Sequence, residues 1–347
     1  MKILVSAKNQ AYTFHCDAGE KILHAGLRSA IALPYECGTG TCGTCKAKLV
    51  EGEVDSEWPE APGLGAPGRE RGEFLMCQCV PRADCSLEVA GIVKPMAAGT
   101  SVPGAVGGVI RRRAMLTHDV ALLHLDLARP LDFEAGQFML MRAAGIAGAR
   151  AYSMVNFEPT AERLVFVVKK KPDGRMSEWL FGDPVDGASV GLFGPLGAAT
   201  FRPDIDKDLL CVAGGSGIAG MMSILARAAP DRYFARHAGD VFFGVRTQRD
   251  IFFIDELAAV QAEAPDTLRV TIALSDEDVA PALGARYPRL GFGKGFVHAV
   301  AAERMTGRFG NVRAYVAGPP PMVDATLRML LREGKLRSDN IRYDKFT

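Results

Sequence analysis

No stretch of eighteen uncharged apolar residues occurs in this chain, so a membrane-spanning helix is not expected. Charge of one sign is also lacking. Lys and Arg number 41 against 40 Asp and Glu, a formal net charge of +1, which leaves no basic field for nucleic acid. Histidine is scarce: His15, His24, His118, His124, His237 and His298 are scattered without ligand spacing. Neither an HExxH run nor a nucleophile triad accompanies them. Internal repeats and low-complexity tracts are absent. The opening Met1-Lys2-Ile3-Leu4-Val5 reads directly as strand, without the ordered regions of an export signal, so a cytoplasmic location is expected. In that compartment eight cysteines argue for metal ligation rather than disulfides.

What is present is enough for several cores. A chain of 347 residues with 48% apolar and 23% charged content is globular and too long for one ordinary core. Residues 1–97 read as a small α+β unit. Ile3–Ala7 and Ala11–Cys16 form a hairpin, Lys21–Ser29 has helical spacing, and Cys45–Val50 and Ser86–Ile92 return to strand. The Pro/Gly/Ala-rich stretch from Lys94 to Gly108 reads as a linker. Residues 104–203 are strand-dominated, with short strands separated by turn signals, which suggests a small antiparallel β-barrel. Residues 204–347 alternate strands such as Leu209–Ala213, Val241–Val245 and Leu268–Leu274 with helices such as Ile254–Ala264 and Met322–Glu333. That alternation implies a parallel sheet covered on both faces. The runs Arg111–Arg113 and Lys169–Lys171 read as strand ends, the lysines able to face a phosphate.

Four cysteines carry the chemistry. Cys37, Cys42 and Cys45 make a C-x4-C-x2-C run, and Cys77 follows in F-L-M-C-Q-C. This is the ligand spacing of a plant-type [2Fe–2S] cluster, whose potential lies near about −400 mV. Gly38, Gly40 and Gly43 let the backbone curl tightly and point N–H groups at the sulfurs. A four-cysteine zinc site is the competing reading, but such sites use paired C-x2-C knuckles. Cys77 and Cys79, with one residue between them, compete for the fourth place. Cys16, Cys85 and Cys211 sit in apolar contexts and read as small buried residues.

Strand Leu209–Ala213 runs into G-G-S-G-I-A-G, where Gly215, Gly217 and Gly220 fit G-x-G-x-x-G between a strand and a helix, a seat for a phosphate. The acidic residue expected to close the next strand is missing. Arg246, Thr247, Gln248 and Arg249 follow Val245 instead, so the ordinary dinucleotide fingerprint is not met.

In order along the chain, the cysteine loop, R-A-Y-S (Arg150–Ser153), G-R-M-S (Gly174–Ser177), G-G-S-G-I-A and G-P-P-P-M (Gly318–Met322) resemble the ferredoxin–NAD(P)H reductase superfamily. The resemblance covers the whole chain and is nearest to reductase components of bacterial multicomponent oxygenases. The segments Glu51–Leu64 and Ile341–Phe346 resemble reductases of soluble di-iron monooxygenases, the toluene, alkene, propane and methane systems. The resemblance implies a plant-type ferredoxin (β-grasp) domain, an FAD-binding barrel and an NAD(P)H-binding α/β domain. It makes Cys77 the fourth iron ligand. It places Arg150 on the FAD pyrophosphate, Tyr152 beside the flavin and Ser153 at its reactive edge. Val168, Lys169, Gly174, Met176 and Ser177 complete the FAD site. Gly215, Ser216, Gly217, Gly318, Pro319 and Pro320 would hold NADH, and Phe346 would cover the flavin face. Ala317 stands where the family often has cysteine.

The function so implied is electron transfer from NADH through FAD and [2Fe–2S] to the hydroxylase of a di-iron monooxygenase, by a monomer, with no nucleic acid and no membrane as partner. Arg246 and Arg249 are the residues that speak for NADPH. The competing readings are the reductase of a Rieske dioxygenase and a redox sensor without turnover.

Overall fold

The structure is a computed structural model and describes residues 1–346. Ile3 and Val5 alternate inward along strand Lys2–Ser6, as period-two patterning requires, and pack on the helix Ile22–Arg28. Five strands form the first sheet, in the order Ala11–His15, Lys2–Ser6, Cys85–Glu88, Lys46–Glu51, Glu73–Leu75. Lys2–Ser6 pairs parallel with Cys85–Glu88 and the other neighbours are antiparallel. Gly26 lets the helix close on the chain beyond it: a Cβ there would lie 2.2 Å from Leu33 Cδ1.

The middle unit is a six-stranded antiparallel sheet, ordered Arg150–Ser153, Phe138–Ala143, Ser189–Leu196, Gly104–Met115, Val120–Leu131, Ala161–Lys169. A bridge between Met154 and Phe166 joins its two edges and closes the barrel. The stretch Lys94–Gly108 is less of a linker than its composition suggests. Lys94–Pro95 pairs with Ile31–Ala32, and Gly104–Gly108 is already strand. The glycines weaken the local strand signal, but pairing with Ser189–Leu196 overrides it, joined from Gly108 onward by Val120–Leu131.

The last sheet is parallel, in the order Gly291–Lys294, Leu268–Leu274, Gly239–Val245, Asp208–Gly214, Val312–Gly318, Ile341–Lys345. Its central strands are buried throughout, which explains their continuous apolar runs. Strand order reverses between Asp208–Gly214 and Val312–Gly318, the switch point at which open α/β sheets leave a crevice for ligand. The G-P-P-P run turns directly into the helix Pro320–Arg332, with proline at the position whose N–H has no helical partner.

Candidate functional site: an iron–sulfur loop and two adjoining cavities

The cysteine loop curls through positive φ at Gly38 (67°), Gly40 (94°) and Gly43 (78°). Gly43 admits no side chain for a second reason: a Cβ would stand 2.4 Å from the carbonyl oxygen of Gly63. The four sulfurs fall into two pairs. Cys42 donates to Cys37 and Cys45 donates to Cys77. Thr39 N–H donates to Cys37 Sγ at 3.4 Å, Thr44 N–H to Cys42 Sγ at 3.5 Å and the Gln78 amide to Cys77 Sγ at 3.5 Å. The bond from Cys42, with help from Thr39 and Thr41, holds the Cys37 thiol well below its ordinary range, and Cys77 is lowered chiefly by the bond from Cys45.

A single tetrahedral zinc sets its four sulfurs about 3.8 Å apart, given Zn–S of about 2.3 Å. Among the described residues, the groups of ligand atoms mutually within 4.8 Å include no three of these cysteines. Two pairs of thiols with N–H donors fit two irons, so the residues fit a [2Fe–2S] cluster. Cys79 is buried, its thiol raised to about 11 by burial, and the Ser56 hydroxyl bonds to it. It lies two residues beyond Cys77, the partner of Cys45, at the start of the strand Cys79–Pro81.

Beside the loop lies a cavity of about 580 Å³. Cys37, Thr39 and Thr41 of the cysteine loop form one wall. Arg150, Tyr152 and Ser153 of one barrel strand, Lys169–Lys171, and Gly174, Met176 and Ser177 form the rest. The expected FAD residues are thus gathered at one place, with one difference of parity. Val168 points into the barrel core at 1% exposure, and its neighbour Val167 lines the cavity, because successive strand residues face opposite sides. The Ser177 hydroxyl fixes the preceding turn, accepting from Lys171 N–H at 3.0 Å and donating to the Gly174 carbonyl at 2.9 Å. The Tyr152 phenol is raised by burial and stays neutral. Guanidinium and ammonium groups for a pyrophosphate, next to an apolar slot and a hydroxyl, fit FAD.

Asp344 also lines this cavity, and burial together with Glu36 raises its carboxyl to about 7. It lies in the segment Ile341–Phe346, and the return of that last strand beside the cysteine loop brings its carboxyl to the cavity.

A second cavity of about 560 Å³ opens at the carboxyl ends of the parallel strands, at the switch point. Gly214, Gly215, Ser216, Arg246, Asp250, Phe296, His298, Pro319 and Pro321 line it. Lys169, Ser216, Pro319 and Phe346 line both cavities, so these four residues stand where the two meet. Gly217, Gly318 and Pro320 line neither. Gly217 is a packing glycine, since its Cβ would lie 2.1 Å from the Ala317 carbonyl oxygen. Gly318 turns the chain at φ 149°. Pro320 starts the helix, and Pro321 faces the cavity in its place. Phe296 and His298, stacked 5.9 Å apart, carried no motif and were missed.

The histidines lack ligand spacing in sequence, yet the fold brings His118, Asp119 and Asp250 within 4.8 Å. Cations already serve this group. Lys169 Nζ is 3.1 Å from Asp119 and Arg249 Nη2 is 3.1 Å from His118 Nε2. The result is a charged seam that steadies Lys169 between barrel and parallel sheet.

Fold and site together define a three-module oxidoreductase in which nicotinamide, flavin and iron–sulfur sites adjoin. Residues 5–82 match the 2Fe-2S iron-sulfur cluster binding domain, 108–201 the oxidoreductase FAD-binding domain and 211–328 the oxidoreductase NAD-binding domain. The chain is 37% identical to the ferredoxin–NAD(P)(+) reductase CarAd of Metapseudomonas resinovorans, over 95% of this chain and 96% of that one. It is 34% identical to the ferredoxin–NAD(+) reductase component of the alkene monooxygenase system of Xanthobacter autotrophicus, over 97% and 99%. Among solved structures, the ferredoxin reductase in carbazole 1,9a-dioxygenase superposes with a TM-score of 0.83 at 32% identity, over 100% and 99% of the two chains. The chain belongs to the ferredoxin–NAD(P)+ reductases that serve multicomponent oxygenases, and it transfers electrons from a nicotinamide nucleotide through FAD and [2Fe–2S].

Proposed function

We propose that this chain is the NADH-specific reductase of a soluble di-iron monooxygenase. One observation carries the electron path: Cys37, Thr39 and Thr41 share a cavity with Arg150 and Ser153, so cluster and flavin sites have a common wall. When bound, FAD accepts a hydride and the cluster carries single electrons onward, and that chemistry belongs to the cofactors.

The chain supplies position and charge. Arg150 and the lysines at 169–171 neutralise pyrophosphate, and Ser153 holds the flavin edge. Gly215 and Ser216 receive the nucleotide, and Phe346 screens the meeting point of the cavities until nicotinamide displaces it. Asp344 holds or releases a proton at its carboxyl near neutral pH. Cys42 is exposed and gives the partner its point of approach.

For the nucleotide, the loop after Gly239–Val245 is flanked by acid. Asp276 N–H donates to the Arg246 carbonyl, and the Glu277 carboxylate accepts from Gln248 N–H. The Glu277 carboxylate beside this loop disfavours a 2′-phosphate, which Arg246 and Arg249 alone would welcome. Stopped-flow reduction of the flavin by NADH and by NADPH checks this; equal second-order rates would remove the NADH assignment.

For the partner, Glu51–Leu64 and Ile341–Phe346 support the di-iron reading, as do the names of the alkene, phenol and propane monooxygenase relatives. The Rieske reading has the carbazole dioxygenase reductase in its favour. Coupled NADH oxidation and product formation with purified oxygenases of each class separates the two.

A further inference from the structure

The segment Glu51–Leu64 marks the sequence, yet nothing in the electron path uses it. Within it, Trp58 is a large aromatic residue left 42% exposed. It belongs to the iron–sulfur unit but lines the cavity that holds Arg150 and Ser153. Its backbone is fixed on both sides. Trp58 N–H donates to Ser56 Oγ at 3.3 Å, and its carbonyl accepts from Ala61 N–H at 3.1 Å. The preceding Glu57 is clamped between Lys21 at 3.0 Å and the barrel residue Arg142 at 3.1 Å, and Glu57 N–H donates to the Gln78 carbonyl at 2.9 Å. An indole on a fixed backbone that lines a cofactor cavity and is left partly uncovered offers apolar ring surface to a planar ligand, at the cost of only two side-chain torsions.

We propose that Trp58 is an FAD contact donated by the iron–sulfur unit, stacking on one of the two ring systems of the cofactor. The inference rests on reading this cavity as the FAD site. It has a consequence for assembly: the flavin is held by both units, so FAD binding and docking of the iron–sulfur unit reinforce one another.

The test uses the full chain with its cluster intact, stripped of FAD and titrated with FAD and with FMN. Only Trp58 and Trp179 fluoresce as indoles, so a Trp179→Phe background isolates the signal. Trp58→Ala is expected to raise the FAD dissociation constant about tenfold, in line with ring stacking on an aromatic side chain. Trp58→Phe is expected to stay within about threefold of wild type by the same principle, and it keeps the test open if Trp58→Ala folds poorly. In the Trp179→Phe background FAD should quench the remaining indole. Weakening of FAD with FMN unaffected places the stack on adenine; equal weakening of both places it on the isoalloxazine. Unchanged affinity in both variants together with unquenched Trp58 overturns the proposal. Arg150→Ala serves as the control: if it weakens FAD while Trp58→Ala does not, this inference alone fails, and if neither matters the reading of the cavity fails.

Discussion

Single residues decide whether each cofactor is held. Cys42 is the exposed member of its sulfur pair, so Cys42→Ser should abolish cluster absorbance while NADH still reduces the flavin. Visible spectra before and after NADH read both effects, and wild-type delivery of electrons to an acceptor protein would contradict the path. Arg150→Ala removes the planar donor of the FAD cavity and should weaken FAD by tenfold or more, since a charge-assisted hydrogen bond contributes about 1.5–3 kcal/mol. Ultrafiltration of the holoprotein measures it, and undiminished retention removes Arg150 from the role. Cys37, Cys42 and Cys45 were legible in their C-x4-C-x2-C spacing, whereas the fourth ligand came from the resemblance. The Val168 side chain faces the barrel core, because strand parity is set by the barrel interior and not by the local sequence. Asp344 lies in the segment Ile341–Phe346, but its place at the cavity depends on where the last strand ends.

At the scale of the element, glycines govern approach. The Gly-rich turn after Asp208–Gly214 packs on the end of Val312–Gly318. Gly217→Ala places a methyl against the backbone carbonyl of Ala317, which cannot rotate away. A loss of about 2 kcal/mol or more in stability is expected, with weakened NADH binding, and thermal melting with and without NADH checks it. Helices and parallel strands of this unit were readable from alternation. The strands at Gly104–Gly108 and Gly291–Lys294 were not, because glycine carries little strand signal and their pairing partners lie far along the chain.

For the whole molecule, the junction between units matters most. Phe138, Leu140, Phe193 and Leu196 of the barrel share a core with the iron–sulfur unit, and the Tyr35 hydroxyl accepts from Gly197 N–H at 3.0 Å. His24 stacks on Phe193 with ring centroids 3.8 Å apart, and its Nε2 has no hydrogen-bond partner. Burial, with Lys21 and Arg142 nearby, lowers His24 to about 3, far below the ordinary value of about 6.5. The fold therefore holds neutral imidazole while the unfolded chain takes up a proton between those values. The stability His24 contributes is present above about pH 6.5 and is lost as pH falls toward 3. His24→Phe should keep the stack and flatten this dependence, so the melting gap between variant and wild type should widen in the variant's favour from pH 7.5 to pH 5. Glu57→Gln should loosen the same junction, slowing flavin-to-cluster transfer while leaving flavin reduction by NADH unchanged, and stopped-flow traces separate the two phases.

The amino-acid sequence by itself determined the three-cysteine spacing, the three modules and the order of the motifs, because covalent spacing and backbone periodicity are local properties. Only the tertiary structure decided that the cysteine loop forms a wall of the cavity that holds Arg150 and Ser153, and that Phe346 lines both cavities where they meet. Those relations join residues separated by most of the chain. They follow from how apolar faces of separate units are buried against one another, which no local pattern records.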